Sequence, residues 1–162
     1  ATWDAKLPTV LDLVPKEYRH FSPSPVGRLD RDTEGLCLLT NDGQLSHRLL
    51  SPSKHVPKTY YAEVRGCVTE EDAAAFSRGV TLDDGYHTKP GELVILSAGA
   101  VSKVHITITE GKFHQVKRMF QAVGKEVVYL KRIRMNRLCL DPALQPGEIR
   151  VLTEEECRLL EN

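Results

Sequence analysis

Three carboxylates crowd one short stretch of this sequence: Asp30, Asp32 and Glu34, interleaved with Arg28 and Arg31 and bracketed by Gly27 and Gly35. Residues of these types at this spacing suit three kinds of chemistry. A charged surface turn needs nothing more. Calcium would use Asp30, Asp32, Glu34 and Gly35 as the first half of an EF-hand loop. That assignment fails at the twelfth position, where Asn41 replaces the bidentate Glu; the residues after Gly35 are also too apolar, and two arginines oppose a cation. The third possibility is a catalytic aspartate, kept ionised by basic neighbours that also attract an anionic substrate. Gly27 and Gly35 permit tight or left-handed turns, so the carboxylates are expected on a shaped loop. The loop runs into Leu36-Cys37-Leu38-Leu39, and residues 36–40 read as a strand buried on both faces. Loops held at the end of a buried strand are common seats of catalysis.

A second informative stretch covers residues 110–124. Phe113, Val116, Phe120 and Val123 share one helical face, with Met119 beside them, while His114, Lys117 and Gln121 share another. A helix starting just after Gly111, with basic and hydrogen-bonding groups in its first turns, can meet phosphate oxygens. An ordinary amphipathic surface helix fits the same pattern. The formal net charge is zero, which alone speaks against a nucleic-acid binder. Its distribution says otherwise: residues 111–137 hold eight Lys or Arg against Glu126, and residues 141–162 hold six acidic residues against two Arg. A neutral total thus conceals a basic face and an acidic end.

The elements that must position these stretches follow from periodicity and punctuation. Residues 9–14 predict a short helix, capped by Thr9 and closed by Pro15. Residues 20–25 predict an extended approach stiffened by Pro23 and Pro25. After a turn at Asn41-Asp42-Gly43, a helix over about 44–50 would turn Leu45, Leu49 and Leu50 to the core and leave His47 and Arg48 at the rim. Residues 58–66 alternate, with Tyr60, Ala62 and Val64 on one face and Thr59, Tyr61, Glu63 and Arg65 on the other. Tyr60 therefore faces a core or a cleft, and simple packing would explain it. Thr69 opens a helix to about Arg78, stopped by Gly79. Residues 80–96 read as short strands. Val104, Ile106 and Ile108 alternate with polar residues as a further strand. Residues 127–140 predict a strand pair turning at Asn136, residues 147–152 a last short strand, and Thr153 a capping-box start to a terminal helix. Strands and helices mix without regular βαβ alternation. The class is α+β, with a mixed, largely antiparallel sheet and flanking helices.

Length and composition set the outer bounds. A chain of 162 residues, 41% hydrophobic and 27% charged, suits one soluble domain over residues 1–162 with a real core. No run approaches the roughly 20 apolar residues of a membrane helix. The opening residues lack a signal-peptide layout, and a first residue other than Met suggests a fragment or a processed chain. Cys37, Cys67, Cys139 and Cys157 form no close pair and no zinc-like spacing with the histidines. Cys37 and Cys139 lie in apolar runs and are expected to be buried and inert. A reducing, cytoplasmic setting follows. No metal or cofactor site is suggested.

A resemblance now bears on the choice. Gly27-Arg28-Leu29-Asp30, Thr33, Gly35-Leu36 and Leu38-Leu39-Thr40-Asn41-Asp42-Gly43 resemble the catalytic motif of RNA pseudouridine synthases, specifically the RsuA family, which modifies ribosomal RNA. Lys58-Thr59-Tyr60 is similar to the family's second motif, which supplies the active-site tyrosine. The stretch from Glu110 to Met119 is similar to the third, where a basic residue pairs with the catalytic aspartate. That residue maps to Lys117, where many relatives carry Arg; a lysine lacks the bidentate fork and makes a looser pair. Gln44, Ser46-His47-Arg48, Ser51-Pro52 and Thr88-Lys89-Pro90 look more like the small-subunit branch than the large-subunit branches. The similarity covers nearly the whole chain. Family members usually carry in front an S4-type RNA-binding domain and a first strand with a Lys-Pro-Gly turn. Neither is present here, so a catalytic domain trimmed at its front edge is expected.

The resemblance implies a pseudouridine synthase fold with a central RNA-binding cleft. It also implies that a uridine of small-subunit ribosomal RNA is isomerised without metal or cofactor: uracil leaves C1′ of the ribose, turns, and rejoins through C5. Asp30 would act at the sugar as nucleophile or base, Lys117 would keep it ionised, and Tyr60 would stack on the uracil and help move the C5 proton. Arg28 would fill or steer around the space the target nucleotide leaves. His47, Lys112, His114, Gln115 and Arg118 would contact RNA, mostly at phosphates and sugars. The expected partner is ribosomal RNA or its assembling particle, with no membrane, and the expected state is a monomer. Three alternatives stand beside this. One is the same chemistry on large-subunit RNA. Another is a non-catalytic rRNA-binding or ribosome-assembly domain, which the intact Asp30, Tyr60 and Lys117 set opposes. The last is a nucleosidase or glycosidase, for which the basic stretch 111–137 is more than a free nucleoside requires.

Overall fold

The structure is a computed structural model and describes residues 10–161. A 3-10 turn (Val10–Leu13) and α1 (Lys16–Arg19) lead to three very short strands, β1 (Ser24–Pro25), β2 (Glu34–Gly35) and β3 (Leu39–Thr40). Next come α2 (Gly43–Leu50), a second 3-10 turn (Pro52–Lys54), β4 (Lys58–Arg65) and α3 (Glu70–Arg78). β5 (Glu92–Ser97), β6 (Val101–Ile108), α4 (Gln115–Ala122), β7 (Glu126–Met135), β8 (Leu138–Cys139) and α5 (Glu154–Leu159) follow. The main sheet has the order β2-β7-β4-β6-β5, with β8 hairpinned onto β7. Only β2 joins in parallel, so the expected α+β class with a largely antiparallel sheet is what the chain forms.

Alternation along β4 decides how the sheet is covered. Ala62 and Val64 lie on the face that also carries Val104, Ile106, Ile108 and Leu130, and this face packs against Phe76 of α3 and Val116, Met119 and Phe120 of α4. Phe76 and Phe120 meet edge to face, 5.0 Å between centroids. Both are fully buried, so truncating either to Ala would cost about 3–5 kcal/mol. A second cluster gathers Val26, Leu36, Leu38, Leu49, Met135, Leu138 and Leu160 beneath α2 and α5.

Helix starts follow local chemistry. Asp42 caps α2 by accepting from the amides of Gln44 and Leu45 at 3.0 and 3.1 Å. Thr153 and Glu156 cap α5 reciprocally, and Asp72 accepts from the Thr69 amide at the head of α3.

Several expectations need correction. Residues 36–40 are not one strand: only Leu39–Thr40 is laddered, against β1, while Leu36 and Leu38 are simply buried. Leu50 is 40% exposed, because α2 turns only Leu49 fully inward and Leu45 partly. Residues 147–152 form no strand; there the chain is held instead by Arg150, which pairs with Asp141 and Glu156. Cys139 is exposed and Cys37 half-buried. The Thr9 cap lies outside the described residues. Among those residues no helix is long and apolar enough to cross a membrane.

Candidate active site

The acidic stretch is a loop sewn down at both ends. The Val26 amide donates to Leu38 O at 2.8 Å, and the Leu36 amide donates to Arg132 O at 2.7 Å. Between them the Thr33 amide closes a turn on Asp30 O at 2.9 Å. Gly35 has φ +108°, and a Cβ there would lie 2.1 Å from Arg132 O, so backbone and neighbour together admit only glycine. The three carboxylates are thereby sorted. Glu34 accepts from the Tyr129 hydroxyl at 2.8 Å, whose pKa is pushed up to about 12 by burial and then by this carboxylate. Asp30 and Asp32 face α4.

α4 begins later than the periodicity implied. His114 sits in the left-handed region at φ +48° as its N-cap, and this turn throws Phe113 off the helix. Phe113 is therefore 72% exposed rather than in the core, with its ring stacked on that of His114 at 3.8 Å. One turn of helix then delivers Lys117 to the acidic loop. Its Nζ lies 2.5 Å from Asp32 Oδ1 and 3.7 Å from Asp30 Oδ2, while His114 Nε2 lies 3.5 Å from Asp30 Oδ1. The Lys117–Asp30 pair exists, but Lys117 is shared, and its closer partner is Asp32. The hydrogen bond from Lys117 holds the Asp32 carboxyl below the usual carboxylate value. Asp30 is 27% exposed, with one oxygen toward His114 and the other toward Lys117. His114, Lys117, Phe113, Arg118 and Gln121 line one cleft together with Asp83 and Asp84.

The other expected residues are placed differently from one another. Tyr60 is half-buried against the main core, in one cross-strand row with Arg132 and Gly35, so β7 stands between it and the Asp30 loop. Arg118 has its guanidinium engaged by Asp83 at 2.7 and 2.9 Å, Asp84 at 2.9 Å and Phe113 O at 2.8 Å. Gln115 is buried, donating to Glu110 at 3.0 Å and accepting from the Lys112 amide at 3.0 Å. Glu110 also accepts from the Tyr86 hydroxyl and from the Lys89 amide. Burial alone would push the Glu110 carboxyl up, but these three hydrogen bonds hold it below the usual value. Gln115 is thus an internal brace in this structure. Lys112 is exposed, its ammonium 4.6 Å from the Tyr86 ring centroid. Arg28 and His47 are exposed, and no side-chain hydrogen bond or ion pair ties them to α4.

Two cations were missed by sequence reasoning. Arg132 is 2% exposed; its Nε donates to Leu36 O at 2.8 Å, and its Nη2 has no hydrogen-bond partner among the described residues. The Lys58 ammonium is pushed down by burial and then by Arg132. The signal was available: Arg132 alternates with Leu130 on the inward face of β7, where a charge needs a reason. A separate apolar recess near β3 and α2 is lined mainly by Val26, Leu36, Leu38, Leu49 and Leu160, and its Asp141, Arg150 and Glu156 satisfy one another. It offers no converging reactive groups. Among the described residues no set of three or more His, Cys, Asp or Glu could hold a metal.

The acidic loop thus presents a half-buried carboxylate to two nitrogen groups of residues that line the cleft. Comparison with known proteins identifies the family. The family described as RNA pseudouridylate synthase matches residues 2–122. A Bacillus subtilis protein named uncharacterized RNA pseudouridine synthase YtzG is 56% identical over 99% of this chain and 67% of its own. Ribosomal small subunit pseudouridine synthase A of Salmonella typhimurium is 46% identical over 96% of this chain and 66% of its own. The chain thus spans about two thirds of these relatives' length. A crystal structure of a pseudouridylate synthase superposes with a TM-score of 0.88 at 42% identity, covering 94% of this chain and 65% of that one. Human RNA pseudouridylate synthase domain containing 1 shares the fold, with a TM-score of 0.56 at 20% identity over 89% of this chain and 82% of that one. Motif, fold and sequence identity converge on one conclusion: this chain belongs to the RNA pseudouridylate synthase family.

Proposed function

We propose that this chain is the catalytic domain of an enzyme that converts a uridine of small-subunit ribosomal RNA to pseudouridine, with Asp30 acting at C1′ of the ribose. One observation carries the reading: Asp30 has His114 and Lys117, both lining the cleft, on its two oxygens, in a chain 46% identical to a small-subunit synthase. A carboxylate so placed is open to a ribose on one side and anchored on the other. Lys117 and His114 supply fixed polar groups where charge shifts as the glycosidic bond breaks. Tyr60 stacks on the freed uracil and helps the C5 proton leave. The protein works as a monomer in the cytoplasm.

Small-subunit ribosomal RNA tritiated at uracil C5 tests this directly. Tritium release by the native chain, lost in Asp30→Asn with RNA binding retained, is the expected result. Release of free uracil would mark a nucleosidase instead. Release from large-subunit RNA alone would move the substrate, and turnover surviving in Asp30→Asn would remove Asp30 from its role.

A further inference from the structure

Phe113 is 72% exposed, the most exposed large apolar side chain among the described residues. A lone exposed apolar residue needs no explanation by itself. Three further features give this one a meaning. Its ring is held rather than loose: it stacks on His114 with centroids 3.8 Å apart and planes 17° from parallel, and its carbonyl accepts from Arg118 Nη1 at 2.8 Å. The residue that carries it is His114, whose φ of +48° is uncommon for a non-glycine and whose Nε2 meets Asp30 at 3.5 Å. Finally, the ring lines the same cleft as Lys117 and Arg118, next to the exposed Lys112.

One held ring with an open face, set among cations, is a poor seat for an apolar protein surface. It suits a planar π-system joined to phosphates. Stacking of unpaired bases on such rings, with Lys and Arg following the backbone, is a general mode of single-strand recognition. We propose that Phe113 stacks an unpaired base of the RNA strand beside the target nucleotide, adding a third ring to the His114–Phe113 pair. The assignment to a neighbouring nucleotide follows from the order of contacts. His114 touches Asp30, where the target ribose must sit, and Phe113 is one ring further out. Asp83 and Asp84 share the cleft and are held there by Arg118, which leaves Lys112 and Lys117 as the cations beside the ring. This rests on the RNA-modifying reading above.

The test compares the native full chain with Phe113→Ser, Phe113→Leu and Phe113→Trp. Each is titrated with a labelled single-stranded oligouridylate and with an abasic ribose-phosphate strand of equal length. Phe113→Ser and Phe113→Leu are expected to weaken oligouridylate binding roughly tenfold and to leave the abasic strand unaffected. Phe113→Trp should bind as the native chain does, with its indole fluorescence quenched by oligouridylate only. Loss of both ligands in parallel, loss of neither, or a fall in Tm in Phe113→Ser would each overturn the proposal. Tritium release from ribosomal RNA, run beside it, separates the two readings. Release with an indifferent Phe113 removes the stacking site alone; a Phe113-dependent base contrast without release removes the synthase reading and keeps the base site.

Discussion

Lys117 and Arg118 are neighbours on α4, and each meets two loop aspartates, yet the two clusters differ in kind. Arg118 presents a planar fork and fills it: Nε and Nη2 on Asp83, Nη2 also on Asp84, Nη1 on a backbone carbonyl. Lys117 presents one ammonium to Asp32 at 2.5 Å and to Asp30 at 3.7 Å. Burial does not explain the contrast, since the side chains are 14% and 21% exposed. Geometry does. A fork fixes direction as well as distance, whereas a point charge can slide between partners. The first cluster fastens the loop at residues 83–84 to the helix. The second leaves Asp30 with the more distant partner, 3.7 Å from the shared ammonium.

Removing the shared charge should break this contrast most severely. Lys117→Met is expected to slow tritium release on the order of 100-fold with an unchanged Tm. An unchanged rate would show that the ammonium serves only Asp32. Arg118→Lys should do less, raising KM for RNA a few-fold with kcat intact, because it loosens one wall of the cleft without touching Asp30. A fall in kcat would place Arg118 in the chemistry and erase the distinction. Asp32→Asn is expected to change turnover by less than about threefold, since Lys117 then has Asp30 to itself. The smallest effect concerns acid. Asp84 is held below 3.8, first by the Tyr86 amide and then by Arg118. A carboxyl lowered in the folded state stabilises above its unfolded value, and that contribution fades as pH falls through the lowered one. Asp84→Asn should therefore lower Tm slightly near neutrality and converge with the native chain below about pH 4, flattening the acid fall, as a melting series in buffers of decreasing pH would record.

Local rules made much of this structure legible. The alternation of residues 58–66, the helix starts at Thr69 and Thr153 and the turn at Asn136 each depend on a few neighbouring residues, and each is found. What stayed hidden depends on partners far along the chain. Arg132 becomes buried only because β2 pairs in parallel with β7, across almost a hundred residues. The sharing of Lys117 with Asp32 is set by how the loop closes on Thr33. Phe113 escapes helical periodicity because the left-handed His114 starts the helix one residue later than the apolar pattern does. Residues 36–40 look like a strand because an apolar run is buried equally well with or without a ladder.

The Asp30 loop is also a bridge between two units of unequal firmness. Its exit, at Gly35 and Leu36, is laced to β7 in the middle of a broad sheet, while its entry at Val26 depends on a two-residue ladder over the smaller cluster. Local opening is drawn from the less firmly packed unit. Warming should therefore free the upstream end of the loop while the sheet holds, with amide protons exchanging at Val26 well before those of Val64. An enzyme hinged in this way loses turnover at temperatures where its circular dichroism is still native.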